Sequence, residues 1–135
     1  MNMSDILPII EKAAKNNGLI LVEADMVKEA GKWTLKIFIY NPQKPITHED
    51  CENISRTVDD YLDEIITVPY NLEVSSPGAD RKLKSEKEYY IFKGKRAKVK
   101  LKTGESYISE INDEIIEKYR KGEITYVRLE PEYKF

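Results

Sequence analysis

The stretch "LEVSSPGADRKL", residues 72–83, sets the tightest limit on the fold. A strand alternating Leu72 and Val74 with Asn71, Glu73 and Ser75 runs into Ser76-Pro77-Gly78-Ala79, and neither a helix nor a central strand continues through a Pro-Gly pair. Proline at the second position and glycine at the third predict a type II turn, with Gly78 supplying the positive φ. Asp80, Arg81, Lys82 and Lys84 follow at once. Such a stretch is either a connection between two parts of a fold or a surface that touches a partner. A chain of 135 residues has room for one ordinary domain or two small ones.

Upstream of the turn the order reads αββαβ. In "SDILPIIEKAAKNNG", Ser4 or Asp5 caps a helix whose Ile6, Ile9, Ile10, Ala13 and Ala14 share one face, and Asn16-Asn17-Gly18 stops it. Two strands follow, 19–27 and 33–41, joined by "KEAGK" as a hairpin with Gly31 near its end. In the second, Trp33, Leu35, Ile37 and Ile39 form the core face. Its other face carries Phe38 and Tyr40, an aromatic pair that either stacks on bases or, the favoured reading, packs under a helix or loop. Thr47 caps a second helix, with Asp50 as a weaker version of the capping-box acid. The apolar stripe there is Cys51, Ile54, Val58, Tyr61/Leu62 and Ile65. A third strand covers 70–76.

Downstream, Ser85 and Glu88 make a full capping box for a short helix ending at Phe92. "KRAKVKLK", residues 95–102, alternates strictly, with Arg96, Lys98, Lys100 and Lys102 outward and Ala97, Val99 and Leu101 inward. Thr103-Gly104 turns into "ESYISEI", and Arg120-Lys121-Gly122 separates "EIIEKY" from "EITYVRL". Short strands with turns at this spacing predict a small barrel-like β module, a minimal one given the length left. The expected class is α+β: a two-layer αββαβ domain over 1–80, a hinge with a short helix over 81–90, and a small β-barrel over 91–135.

Charge is uneven. Residues 1–88 hold 11 Lys/Arg against 16 Asp/Glu, while 89–135 hold 11 against 8. The window 81–102 has ten basic and two acidic residues, the electrostatic footprint of a polyanion binder as well as of a solvated lysine surface. No apolar run approaches membrane-spanning length, the N-terminus lacks the pattern of a secretory signal, and a single cysteine excludes an internal disulfide; the expectation is a cytoplasmic protein.

Reactive constellations are sparse. His48 lies three residues before Cys51, so a Cys–His pair is geometrically conceivable on a helix. A cysteine on the apolar stripe beside a surface histidine is the better reading, because the helix N-terminus disfavours an imidazolium. Asp59, Asp60, Asp63 and Glu64 form an acidic face that is solvated or serves as a docking surface for a basic partner, rather than a metal site. No phosphate-binding loop, dinucleotide fingerprint or zinc pattern occurs, so no enzyme and no cofactor is expected.

"NLEVSSPGADRKL" resembles the signature of the RimP family of bacterial ribosome maturation factors. "NNGLILVEADMV", "ITHEDCENISRTVDDYLD", "FKGKRAKVKLK" and the ending "YVRLEPEY" are similar to further parts of the same family. The resemblance implies an αββαβ domain followed by a small Sm- or SH3-like barrel, here shortened. It also implies a non-enzymatic factor without cofactor that assists late assembly of the small ribosomal subunit, binding the free subunit and a ribosomal protein within it; contact with 16S rRNA is expected from charge alone. A monomer with no membrane contact is expected; a general RNA-binding module with a lysine-rich strand on phosphates is the alternative. Ser75, Ser76, Pro77, Gly78, Asp80 and Arg81 would form a partner-binding loop. From charge, Lys82, Lys84, Lys95, Arg96, Lys98, Lys100 and Lys102 would contact rRNA, and Asp59, Asp60, Asp63 and Glu64 a basic ribosomal protein. Ala79 and Lys82 stand where the family usually has leucine and proline, which implies a less packed loop and a looser hinge.

Overall fold

Strand alternation and helical stripes resolve, in the computed structural model, into two α+β units that divide between Pro77 and Gly78. The structure describes residues 3–131. In the first unit α1 (Met3–Asn16) is followed by β1 (Ile20–Glu29), β2 (Lys32–Tyr40), α2 (His48–Ile65) and β3 (Tyr70–Ser75). β1 and β2 pair antiparallel, while β3 lies parallel to β2, giving the sheet order β1-β2-β3. A parallel neighbour requires a crossover, and α2 is that crossover. Ala30 and Gly31 make the hairpin turn, both at positive φ (50° and 78°), which matches the twist of the flanking strands.

The first core is aliphatic. Ile6, Ile10, Leu35, Ile37, Ile39, Ile54, Val58 and Leu62 have no exposure, and burying each such side chain stabilises the fold by about 2 kcal/mol. The α2 stripe departs from expectation at one end: Leu62 turns inward, leaving Tyr61 and Ile65 exposed at 61% and 40%. One residue is 100° on a helix, so Tyr61 and Leu62 cannot both face the sheet. Thr47 is the N-cap of a complete, not a weakened, capping box: its Oγ1 accepts from the Asp50 N–H at 3.1 Å, and Asp50 Oδ2 accepts from its N–H at 3.0 Å.

The second unit contains α3 (Glu86–Ile91), β4 (Arg96–Leu101), β5 (Ser106–Glu110), α4 (Asp113–Arg120) and β6 (Ile124–Leu129). Its sheet has the order β5-β4-β6, antiparallel throughout. Among the described residues there is no closed barrel, which corrects the barrel expectation; residues 132–135 lie outside them. The segment "EIIEKY", read as a strand, is the helix α4. Asn112 caps it by accepting from the Ile115 N–H at 3.0 Å, its acids lie in the first turn and its bases in the last, and Ile115 and Ile116 are buried. Those local signals favour a helix over a strand.

α3 and α4 are held together by Tyr89 against Tyr119, with ring centroids 4.5 Å apart, and by Arg120 donating to the Tyr90 hydroxyl at 2.7 Å and pairing with Glu86. Burial, then Tyr119 and Glu88, push the Tyr89 phenol up from its ordinary value. The capping box expected at Ser85 does not form; Ser85 is the N-cap but makes no side-chain cap hydrogen bond. Glu88 is instead buried and accepts from Arg81 Nε at 2.7 Å. Its carboxylate is committed to that charged donor.

Candidate nucleic-acid interface

Strict alternation along β4 places Ala97 and Val99 at zero exposure and sends Arg96, Lys98 and Lys100 to the opposite face. Strand pairing then decides what stands beside them. Lys98 lies opposite Ile108 of β5 and Arg128 of β6, and Arg128 is bridged in turn by Lys82. The row across four chain segments is therefore Ile108, Lys98, Arg128, Lys82. In the neighbouring row Lys100 stands between Ser106 and Tyr126. Lys82 Nζ lies 4.8 Å and Arg128 Cζ 5.8 Å from the Tyr126 ring centroid, both within cation–π range.

Like charges directly opposite on a sheet destabilise it, and Lys98, Arg128 and Lys82 are three in succession. No acid stands in that row or in the Lys100 row. Arg96, opposite Glu110, is the member of the strand that faces a carboxylate. The face can accept phosphates on its cations and offers an aromatic ring and an exposed Ile108 beside them. Lys84, Lys95 and Lys102 are exposed but lie outside the paired rows. Sequence reasoning missed Tyr126, Arg128 and Ile108; the alternation in "ITYVRL" changes phase between the buried Ile124 and the buried Val127 and Leu129, which hides the outer face.

The turn after β3 differs from the type II geometry expected of it. Gly78 is not among the positive-φ residues, and the turn falls on Gly78–Arg81, with the Arg81 N–H donating to the Gly78 carbonyl at 3.2 Å. A Cβ on Gly78 would lie 3.1 Å from Asp80 Oδ1, the end of an exposed side chain that can shift aside. Backbone hydrogen bonds tie the following segment to β6. Leu83 N–H donates to Val127 O and Leu129 N–H to Arg81 O, both at 2.9 Å, so residues 81–83 run as a short ribbon along β6. Ser75, Ser76, Gly78 and Asp80 are exposed and Pro77 half-buried. Arg81 departs from its expected role as an outward fork: its side chain is 8% exposed and its Nε is spent on Glu88.

The acidic residues of α2 divide between two sides. Asp59 and Asp63 accept from the Tyr70 hydroxyl at 3.4 and 3.3 Å, tying α2 to β3. Burial first, then those carboxylates, push the Tyr70 phenol up to about 12. Asp60 and Glu64 are exposed and project elsewhere on the helix. His48 and Cys51 line one groove, but burial and the Asp50 charge push the Cys51 thiol up, opposite to what a nucleophile needs. Among the described residues no cluster of His, Cys, Asp and Glu has the makings of a metal site, and no helix is long and apolar enough to cross a membrane.

The chain is thus a two-unit α+β protein whose second sheet carries a cationic, aromatic-bearing face. The RimP N-terminal domain family matches it over residues 9–80, more than half its length, and the chain belongs to the RimP family, a family of ribosome maturation factors. The matched span contains α2 and all three strands of the first sheet and ends within the turn at residue 80.

Proposed function

We propose that this protein is a cytoplasmic, monomeric, non-enzymatic factor that assists late assembly of the small ribosomal subunit by binding the free subunit. The outer face of the second sheet, centred on Lys98, Lys100, Tyr126 and Arg128, lies on 16S rRNA, with Lys82, Arg96 and the flanking Lys84, Lys95 and Lys102 extending it. The exposed turn residues Ser75, Ser76, Gly78 and Asp80, with Pro77, contact a partner, while Arg81 shapes the turn from inside. A basic ribosomal protein approaches the acidic side of the first unit, where Asp59, Asp60, Asp63 and Glu64 stand. The observation that carries this reading, beyond family membership, is the uninterrupted Lys98–Arg128–Lys82 row.

Co-sedimentation of the pure protein with small subunits, large subunits and unrelated RNA, at low and moderate salt, tests it. Retention on small subunits alone at moderate salt is the expected result. Equal binding to all three, vanishing as salt rises, defeats it in favour of a general RNA-binding module, for which log K falls by about 0.9 per duplex phosphate contacted.

A further inference from the structure

The first sheet ends in an unfilled place. β3 pairs with β2 on one side and, among the described residues, with no strand on the other. In a parallel pair successive residues alternate the direction of their backbone groups, so every second N–H and C=O of β3 points away from β2. Beside that edge runs a groove of about 670 Å³, walled by His48, Cys51, Glu52, Ser55 and Arg56 of α2 and floored by Leu72, Glu73, Val74 and Ser75. Leu72 and Val74 are half-buried, so an apolar strip remains open along the floor. The Tyr70 hydroxyl bonded to Asp59 and Asp63 ties the helix to the strand beyond one end. The other end opens at Ser75, where β3 gives way to the Ser-Pro-Gly turn.

A helix set beside a bare sheet edge is the arrangement that receives an added strand: backbone hydrogen bonds supply affinity and alternate side chains enter the groove. We infer that the β3–α2 groove binds an extended, basic segment of a partner protein as a fourth strand of the first sheet. The charge of the segment follows from the walls. Glu52 and Glu73 line the groove and Asp59 and Asp63 stand beyond its end, while Arg56, the lining cation, already lies 3.6 Å from Glu52. A segment alternating aliphatic and basic residues places its aliphatics on Leu72 and Val74 and sends its ammonium groups to the other face of the sheet, beside Glu73. The inference names a mode of contact for the protein partner in the proposed function and rests on that reading for the partner's class.

The test uses the full chain and a blocked peptide alternating lysine and valine, matched to the six residues of β3. Two analogues carry N-methyl groups on alternate residues, one in each phase. Strand pairing sends only one phase of peptide N–H groups toward β3, so one analogue loses affinity by about tenfold or more and the other does not. Amide exchange of alternate residues in Tyr70–Ser75 slows on binding, and a glutamate–valine peptide binds worse than the lysine one. Ser55→Trp, which fills the groove, blocks binding while a thermal melt shows the fold intact. Equal affinity of both analogues, preference for the acidic peptide, or no binding of the lysine–valine peptide overturns the inference. Co-sedimentation of the unaltered protein with subunits separates the two ideas: loss of small-subunit selectivity with normal peptide binding defeats the functional reading alone, and the converse defeats the groove alone.

Discussion

Arg81 Nε donates to Glu88 Oε1 at 2.7 Å, with 8% and 3% of the two side chains exposed. This pair links the segment after the Pro-Gly turn to α3, and it explains two departures from sequence pattern at once. The Arg81 side chain lies largely buried against Glu88 instead of standing out as a fork, and Glu88 does not complete a capping box. Removing one member of a buried pair strands the other charge, a loss of about 3–5 kcal/mol. Arg81→Met is therefore expected to destabilise the second unit by about that much in urea unfolding, and Arg81→Met with Glu88→Leu to recover most of it. A single mutant with an unchanged midpoint would show that the pair contributes little.

Capping gives a second comparison. Thr47→Ala removes a side-chain oxygen that accepts from Asp50 N–H and is expected to cost about 1 kcal/mol; Asn112→Ala, at the start of α4, should cost a similar amount. Ser85→Ala removes no cap hydrogen bond and should cost no more than a few tenths. Denaturant melts of the three variants rank them, and a Ser85 loss equal to that of Thr47 contradicts the assignment.

On the proposed RNA face, Lys98→Ala and Lys100→Ala should each weaken binding to rRNA and lower the salt slope by about one contact. Tyr126→Ala should cost about 1–3 kcal/mol of binding if a base stacks on the ring, and Tyr126→Phe much less. Because Lys98 and Arg128 are like charges side by side, Lys98→Ala should leave the melting temperature unchanged or higher. A fall in stability that tracks the fall in binding would place these residues in folding instead.

Two weakly acidic groups of the first unit, the Cys51 thiol and the Tyr70 phenol, are pushed up and give alkaline predictions. The Cys51 thiol, raised by burial and then by Asp50, is mostly protonated at neutral pH, so it should react with thiol reagents more slowly than a free cysteine, speeding up only as pH rises into the alkaline range. A fast reaction at neutral pH would revive a catalytic reading of the His48–Cys51 groove. Tyr70 is also raised, from 10 to about 12, so folding favours its neutral form. That contribution is complete below pH 10 and disappears as pH climbs through about 12. Tyr70→Phe should flatten the alkaline side of the stability curve.

Much of this architecture was legible because its signals are local. The period of "KRAKVKLK" marks β4 and its two faces, and Ile54, Val58 and Leu62 mark the buried side of α2. The αββαβ order follows from such patterns. Three features were less accessible. A carboxylate three residues after a serine fits a cap, but Arg81 competes for Glu88 through space, so "SEKE" does not reveal the winner. "EIIEKY" is short enough for its isoleucines to fit either period, and Asn112 decides for α4. The Lys82–Arg128–Lys98 row depends on which strands pair, a non-local choice absent from any single segment. Hence the lysines were visible in sequence, but Tyr126 at their centre was not.

The crossover through α2 also orders events in time. β1 and β2 are joined by two residues and can zip together quickly, whereas β3 must wait until the 29 residues between β2 and β3, 41–69, have closed a loop over the sheet. The strand laid down last is thus the one whose outer edge stays unmatched. A nascent chain would hold its hairpin before it holds that rim, and in pulse-labelled refolding the amides of Lys32–Tyr40 that face β1 should gain protection ahead of those in Tyr70–Ser75 that face β2.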